Sequence, residues 1–295
     1  MSGLMSGQRT GAAVLIMAAA SILAGFDAVI VRMLAGGVHP FTIAFFRALF
    51  GLCAVLPFMM RRVQLLASPY RAAHVVRAGL KFASLVALFI AYAHAPLADA
   101  TALNFTMPIF LTLGAWLFLK EEVAPSVIGG VLAGFVGVMI IVRPGAGTFD
   151  PWLLFALAGA ILTAVSQLML RRMALRDTTD RLVAWNLLAM VGLGLLAAVP
   201  VWVTPTPMQL GLLALQGVLG ALNMTLITRA FAMASASYLA PLDFLRLPVV
   251  AVMAFLFFGE VAPVTTWIGA ATIFVATLAA AGGARLRRRR FEDEG

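Results

Sequence analysis

Side chains that carry covalent or metal chemistry are scarce in this chain. Its 295 residues include one cysteine, Cys53, and three histidines, His39, His74 and His94. A single cysteine cannot form an intramolecular disulfide and supports no metal cluster. The histidines are scattered, and the sequence contains neither a His-Glu-x-x-His metal helix nor a Gly-x-x-x-x-Gly-Lys-[Ser/Thr] phosphate loop. We therefore expect no cofactor, no metal site and no enzymatic activity.

Charged residues are also few, at 11% of the chain, whereas 63% of the residues are hydrophobic. An ordinary soluble domain has about 45–50% apolar and about 25% charged residues, so this chain is expected to lie in a bilayer. A helix needs roughly 20 apolar residues to cross it. We predict ten spans, at 12–34, 40–60, 74–94, 97–119, 126–142, 152–172, 182–203, 207–230, 236–258 and 263–284. The runs are continuous, which favours helices over the alternating strands of a barrel. The first span is interpreted as a retained helix because no clear cleavage site follows it.

The net charge of +9 lies mainly on one side of the predicted spans. Arginine and lysine collect on the segments at Arg9, Arg61, Arg62, Arg71, Arg77, Lys120, Arg171, Arg172, Arg176, Arg181, Arg229, Arg285 and Arg287 to Arg290. The opposite segments carry only Arg32 and Arg143. The positive-inside rule predicts an inner-membrane protein with both termini in the cytoplasm. Such a charge distribution indicates anionic lipid as a partner and does not indicate nucleic acid.

Several short patterns occur twice, roughly 140 residues apart. Leu103-Asn104-Phe105 with Pro108 corresponds to Leu242-Asp243-Phe244 with Pro248, and Glu122-Val123-Ala124-Pro125 corresponds to Glu260-Val261-Ala262-Pro263. Each copy holds five spans, and because five is odd the second copy enters the membrane from the other side. We predict two inverted five-helix repeats, 11–144 and 151–284, followed by a cytoplasmic tail, 285–295. The fold class is an all-α integral membrane protein.

The repeated segments resemble a known superfamily. The residues that carry the resemblance are Pro108, Leu117 to Glu122, Gly129 to Gly134 and Ile141 to Pro144, and in the second half Pro248, Phe255 to Glu260 and Ile268 to Ala270. The chain resembles the drug/metabolite transporter superfamily in its ten-helix form with two EamA-type repeats. This resemblance implies transport of amino acids or similar metabolites, more commonly outward. It also implies that helices 3, 4, 8 and 9 line a central cavity and move.

Five charged residues lie well inside predicted spans, namely Asp27, Arg47, Lys81, Asp243 and Arg246. A charge at mid-bilayer costs about 2.5–3.5 kcal/mol on insertion scales, so each needs a partner or a role. Depths estimated from a rise of about 1.5 Å per residue predict the pairs Asp27–Arg47 and Lys81–Asp243. Asp243 could instead pair with Arg246, three residues further along the same helix. The Asp27–Arg47 and Lys81–Asp243 pairs could each be purely structural, neutralising charge between helices. Arg246 is expected to face the cavity, where its planar guanidinium suits an anionic group on the substrate.

Neutral polar residues form a second candidate set: Ser84, Tyr92, Asn104, Gln167, Asn186, Asn223 and Tyr238. The repeat alignment places Asn104 against Asp243, Gln167 against Asp27, and Asn223 against Ser84. Polarity at equivalent positions predicts a cavity around the pseudo-two-fold axis. The alternative is that these side chains make hydrogen bonds between helices.

Prolines and glycines suggest where helices bend and approach. Pro108 and Pro248 occupy equivalent positions in the fourth and ninth spans, where each is expected to kink its helix and support a gate. Gly130-x-x-x-Gly134, with Gly137, permits close helix packing, either in a dimer or within the protein's own bundle. We expect Asp99 to cap a helix N-terminus.

These features together predict a secondary transporter that moves small organic metabolites by alternating access, as a monomer or weak dimer. Amino acids are the expected substrates and export the expected direction. Coupling to protons and transport down the solute gradient both stay open. The alternatives are a non-transporting receptor or assembly subunit and a membrane-embedded lipid-handling protein. The short connecting segments and the scattered histidines disfavour both.

Overall fold

The computed structural model describes residues 2–59, 68–119, 125–143, 150–174, 177, 179–233, 243, 245–276 and 278. Tyr238 and the tail 285–295, for which predictions were made, lie outside these ranges. The helices are α1 (Ser2–Leu34), α2 (Pro40–Met59), α3 (Arg71–His94), α4 (Leu97–Asn104), α5 (Met107–Leu119), α6 (Pro125–Val142), α7 (Leu153–Ala174), α8 (Thr179–Ala198), α9 (Pro207–Met233), α10 (Arg246–Phe258) and α11 (Val264–Ala276). A short 3₁₀ turn, Val199–Val201, follows α8.

Helices make up all the regular structure of the described residues, which confirms the predicted fold class. Seven helical stretches are long and apolar enough to cross a membrane, and α6, α10 and α11 contribute shorter apolar helices. One of the seven, Leu97–Phe118, runs through both α4 and α5. Large apolar side chains such as Leu132, Leu196 and Met208 stay exposed on the bundle surface. Exposed apolar surface of this extent is suited to contact with lipid acyl chains.

Two ends of the bundle are defined by contacts between chain connections. The end at which Arg32, Ala95 and Glu260 meet is called the outer end, following the predicted orientation. The end at which Ser68, His74 and Asp177 meet is called the inner end.

Helix packing follows the symmetry that an inverted repeat predicts. α3 packs on α7 and α8, while α9 packs on α1 and α2. If the second half repeats the first, α9 is the equivalent of α3, and α1 and α2 are the equivalents of α7 and α8. The two sets of contacts are then equivalent. α2 also packs on α8, and α4 packs on α10, and each of these pairs joins equivalent helices. The exact repeat boundaries stay a prediction.

Glycines on α6 are used within the chain. A Cβ added at Gly137 would lie 2.9 Å from the Gly269 carbonyl oxygen, and one added at Gly269 would lie 2.8 Å from the Gly137 oxygen. α6 and α11 therefore pack backbone against backbone. Gly134 faces the side chain of Ile109 on α5. Of the two roles predicted for this stripe, Gly134 and Gly137 serve packing within the bundle.

The fourth span is interrupted just before its proline. α4 ends at Asn104, tight turn bonds close the chain at Phe105 and Thr106, and α5 begins at Met107. Pro108 is thus the second residue of a new helix, where its missing N–H removes no helical hydrogen bond. Pro248 is similarly the third residue of α10. The prediction of a kink within a continuous helix is wrong for Pro108, because one helix ends at Asn104 and another begins at Met107.

Candidate functional site

Four side chains from four helices lie close together in the part of the bundle nearer the outer end. Tyr92 of α3 is within electrostatic range of Asp27 on α1, Arg47 on α2 and Arg246 on α10. We call Asp27, Arg47, Tyr92 and Arg246 the polar cluster. Tyr92 is buried, and the three charged residues keep partial exposure. Sequence analysis singled out all four, and the structure brings them together.

Asp27 and Arg47 form the predicted ion pair. Arg47 Nη1 donates a hydrogen bond to Asp27 Oδ1, and the side chains are 20% and 15% exposed, respectively. The guanidinium also lies 5.9 Å from the centroid of the Phe89 ring. Gly220 of α9 makes room for it, since an added Cβ there would lie 2.8 Å from Arg47 Nη2. The pair offsets two charges that would each be costly in a bilayer.

Arg246 has a different environment. Its Cζ atom lies 4.8 Å from the centroid of the Phe105 ring, at the break between α4 and α5. Its Nε is buried, and within the described ranges the guanidinium has neither a hydrogen-bond acceptor nor an ion-pair partner. A cation–π contact to one face leaves the N–H edge of the guanidinium able to bind an oxyanion.

The predicted Lys81–Asp243 pair is not found. No ion pair joins Lys81 or Arg246 to Asp243 in the part of the chain that the structure describes. Arg47 and Arg77 are instead the charges within electrostatic range of Lys81. The depth of Asp243 was counted over 236–242, which lie outside the described residues, and the described helix α10 begins only at Arg246.

Ser84 and Asn223 make hydrogen bonds between helices. Ser84 Oγ donates to the Gly159 oxygen at 3.0 Å and also contacts Thr163 Oγ1, which joins α3 to α7. Asn223 Nδ2 donates to the Ala20 oxygen at 2.5 Å, which joins α9 to α1. The two bonds occupy equivalent places in the two halves. For this pair the structure supports the alternative that assigned these side chains to helix packing.

The remaining neutral candidates stay separate from these bonds. Asn104 ends α4 and Gln167 lies on α7, and both are partly exposed. Neither makes a side-chain hydrogen bond within the described ranges. Asn186 Nδ2 contacts Met190 Sδ at 3.2 Å on its own helix. Gln216, which sequence analysis missed, is fully buried on α9, and its amide has no partner in the described structure. The sequence offered one signal for Gln216, namely an amide side chain within the apolar run of α9. The repeat alignment places Gln216 against Arg77.

The outer end is held by an arginine that sequence analysis assigned only to topology. Arg32 Nη1 donates to the Tyr92 and Ala95 oxygens, both at 2.9 Å, and Nη2 donates to Glu260 Oε1 at 2.5 Å. Glu260 Oε2 accepts from the Leu97 N–H at 3.0 Å. The only sequence signal was the repeated Glu-Val-Ala-Pro pattern that contains Glu260.

Asp99 does not cap α4 as predicted. The residue before α4, Pro96, provides no side-chain cap, and Asp99 lies within the first turn. Asp99 is 3% exposed, and Thr266 Oγ1 of α11 donates a hydrogen bond to its carboxylate. It therefore joins α4 to α11.

The inner end contains a buried network around His74. His74 Nε2 lies 3.0 Å from both Asp177 Oδ2 and Ser68 Oγ, and Ser68 Oγ donates to the same Asp177 oxygen at 2.7 Å. The imidazole stacks on Trp185, with centroids 5.4 Å apart. In a catalytic triad the acid and the hydroxyl contact opposite ring nitrogens, whereas here both contact Nε2. The network therefore ties α3 to the segment between α7 and α8 and does not form a nucleophile.

A cavity of about 470 Å³ opens at the outer end, away from the polar cluster. Its lining includes His39, His94, Trp152 and Phe155. His94 stacks on Trp152 with a centroid separation of 4.3 Å. His94 is the last residue of α3 and is exposed.

Comparisons with known proteins agree with this architecture. The profile of the EamA-like transporter family matches residues 11–143. A riboflavin transporter of Rhizobium johnstonii is 32% identical, over 80% of this chain and 78% of its own. An S-adenosylmethionine uptake transporter of Rickettsia bellii is 29% identical, over 81% and 83% of the two chains. The pseudopaline exporter CntI of Pseudomonas aeruginosa is 30% identical, over 80% and 84%.

A solved crystal structure shares the fold. It superposes with a TM-score of 0.61 at 21% identity and covers 94% of this chain and 99% of its own. At that level of identity the likeness concerns the fold alone.

Proposed function

Since this chain belongs to the EamA-like transporter family, we propose that it moves small organic metabolites that carry a carboxylate. Amino acids and their derivatives are the substrates that fit this description best. Transport proceeds by alternating access, with the polar cluster exposed in turn to each side of the membrane. The membrane is the bacterial inner membrane, and both termini lie in the cytoplasm. The chain acts as a monomer or weak dimer in contact with lipid.

The observation that carries this proposal is the environment of Arg246. A charged group within a bilayer is costly and is commonly retained for function. Asp27 neutralises Arg47, whereas Arg246 has no acidic partner in the described part of the chain. A guanidinium with an accessible N–H edge binds a carboxylate through two parallel hydrogen bonds. The Phe105 ring beside it is buried and supports the guanidinium from one face.

Transport is tested by counterflow in proteoliposomes. The purified protein is offered labelled phenylalanine, threonine, S-adenosylmethionine and riboflavin, followed by a mixed metabolite extract. We expect accumulation of a solute with a carboxylate and no competition from the amide of that solute. Accumulation of riboflavin alone, which has no carboxylate, would overturn the proposed substrate class and leave the transporter assignment in place.

The role of Arg246 is tested with Arg246→Lys. Lysine keeps the charge but loses the planar fork, so we expect transport to fall about tenfold or more while the protein stays monodisperse. Arg71→Lys, at an exposed position at the start of α3, is the matched control and should transport normally. Normal transport by Arg246→Lys would remove this residue from the substrate site.

Export is the direction that we propose, and its support is the resemblance to the superfamily. Cells that express the protein and are loaded with the identified solute should release it faster than cells that express Arg246→Lys. Faster uptake with unchanged release would reverse the assignment.

Alternating access also requires contacts at each end of the bundle that can break and re-form. The inner network around His74 and the outer contacts of Arg32 are such contacts, one set at each end.

A further inference from the structure

The contacts of Arg32 and Glu260 join three chain connections. Arg32 lies in the last turn of α1, its acceptors Tyr92 and Ala95 lie at the end of α3, and Glu260 lies between α10 and α11. Glu260 also accepts from the first N–H of α4, where a carboxylate is favoured by the helix N-terminus. We call the Arg32 and Glu260 side chains, together with the main-chain groups they bind, the outer latch.

The backbone that precedes Glu260 is shaped for this contact. Gly259 ends α10 with φ 68°, a left-handed conformation that glycine adopts without steric cost. This residue turns the chain sharply, so that Glu260 points across to α1 rather than continuing along α10. Phe258 also contributes, with its ring centroid 5.9 Å from Arg32 Cζ.

The outer latch stands between the polar cluster and the outer end. Asp27 and Arg32 lie on the same helix, five residues or about 7 Å apart along its axis. Tyr92 belongs to both sites, because its side chain lies in the polar cluster and its carbonyl oxygen binds Arg32. Ala95, Leu97 and Ala98, beside the latch, are all buried. In the state described, these residues close the path from the cluster to the outer end.

The strength of the latch suits a contact that opens and closes. Its two side chains are 22% and 21% exposed, so water can replace some of the broken hydrogen bonds. A fully buried pair is much more costly to break, because each charge would remain without solvent. The latch also joins helix ends and turns, which can separate without disturbing helix interiors. It links α3 and α4 with α10, and these helices contain most of the elements that the superfamily resemblance implies to be mobile.

We propose that the outer latch is the outer gate of the transport cycle. Arg32 and Glu260 are joined while the cluster is closed to the outside, and they separate whenever it opens there. This inference rests on the alternating-access function proposed above. The repeat alignment places the same residue types at Arg172 and Glu122, but Glu122 lies outside the described residues, so the proposal concerns the outer end alone.

The first test measures access to a residue behind the latch. In a Cys53→Ala background, Ala98→Cys is introduced and the full-length protein is reconstituted in nanodiscs. The rate of reaction with a polar maleimide should rise about fivefold or more when Glu260→Gln is added, because the amide no longer pairs with Arg32. Asp150→Asn, the matched loss of a carboxylate at the outer end, should leave the rate unchanged. Equal rates for Glu260→Gln and its parent would overturn the proposal.

The second test holds the latch shut. Arg32→Cys and Glu260→Cys are combined in the Cys53→Ala background and joined by a short bis-methanethiosulfonate. We expect counterflow to fall to background and to return when a reductant cleaves the link. Full transport by the cross-linked protein would show that the latch is a static contact and would overturn the proposal. If no variant transports any solute, the proposed function fails, and the maleimide rates still decide whether the latch controls access.

Discussion

Asp27 and Arg47 each depend on the other for their place in the bilayer. Asp27→Asn removes the counter-charge of a guanidinium that is only 20% exposed. We expect a loss of about 3 kcal/mol in unfolding free energy, the usual cost of leaving one buried partner without the other. Arg47→Met in the Asp27→Asn background should recover part of that loss, as measured by denaturation in detergent. Strictly additive losses would show that the two side chains do not interact.

Substitution of Gly259 is expected to lower the stability of the protein, although there is space for a side chain at this position. A Cβ at this position would meet no described atom within 4 Å, so the effect of Gly259→Ala is conformational alone. A left-handed conformation costs an alanine roughly 1–2 kcal/mol relative to glycine. We expect a corresponding fall in thermal stability and weaker placement of Glu260 against Arg32. Gly259→Asn should be milder because asparagine tolerates this conformation better, and equal stability of all three proteins would contradict the assignment.

At the scale of single residues, the sequence predicted the positions of charge better than the pairings. The Asp27–Arg47 pair could be predicted because both residues lie in uninterrupted helices, for which depth follows from residue count. Lys81 and Asp243 share a counted depth but form no ion pair in the described part of the chain, because equal depth alone does not bring two helix faces together. Glu260 was missed because it lies outside the predicted spans, where an acidic residue costs little, and the repeated Glu-Val-Ala-Pro pattern that contains it indicated only the internal repeat. Asp99 was assigned to the nearest local role, although its partner is Thr266, distant in sequence.

The contact between α2 and α9 depends on a glycine with no space for a side chain. A Cβ at Gly217 would lie 2.5 Å from Phe50 Cβ and 3.2 Å from the Gly51 nitrogen, so α9 would have to move away from α2. We expect Gly217→Ala to destabilise the protein by about 1–3 kcal/mol, as overpacking commonly does.

Gly211→Ala is the matched control for this change. Gly211 lies on the same helix, and a Cβ there would meet no described atom within 4 Å. Alanine is favoured over glycine in a helix, so this variant should be as stable as the parent or slightly more stable. Equal melting temperatures for the Gly217→Ala and Gly211→Ala proteins would show that α2 and α9 are not in close contact.

Helix positions followed closely from hydropathy, whereas helix ends did not. The predicted second span, 40–60, corresponds to α2, Pro40–Met59. The break between α4 and α5 was not predicted, because the apolar run continues through Phe105 and Thr106 without a glycine. Pro108 indicated where the helix is disturbed, but it did not indicate that one helix ends and a second begins. A proline near the start of a helix and one in its interior look alike in a sequence, and only the hydrogen bonds distinguish them.

The orientation of the whole molecule is predicted from its arginines and is directly measurable. Gly36 lies in the turn after α1, and a Cβ there would meet no described atom within 4 Å. Tyr70 lies exposed at the opposite end, before α3. In a Cys53→Ala background, Gly36→Cys should react with an impermeant maleimide added to intact cells, whereas Tyr70→Cys should react only after permeabilisation. The reverse pattern would place the termini outside.

The architecture of the whole chain could be inferred from composition and internal repetition, but its contacts could not. Repetition predicts which helices are equivalent, and the matching Ser84 and Asn223 bonds fit that equivalence. It does not predict which end of the bundle is closed, since inverted halves permit both states. The Arg32–Glu260 contact, which joins residues 228 positions apart, ties the outer end together in the state described and could not be predicted from the repeat.

Under the proposed function, the charge of Arg246, which has no acidic partner among the described residues, is expected to make transport sensitive to voltage. A guanidinium stays protonated at all physiological pH values, so Arg246 carries its positive charge whether the site is empty or occupied. A membrane potential, negative inside, contributes up to about 2.3 kcal/mol per elementary charge for each 100 mV, and therefore favours the empty carrier facing the cytoplasm. An anionic solute cancels this bias, whereas a zwitterion leaves it in place. The electrical response of transport currents would thus reveal the net charge of the cargo.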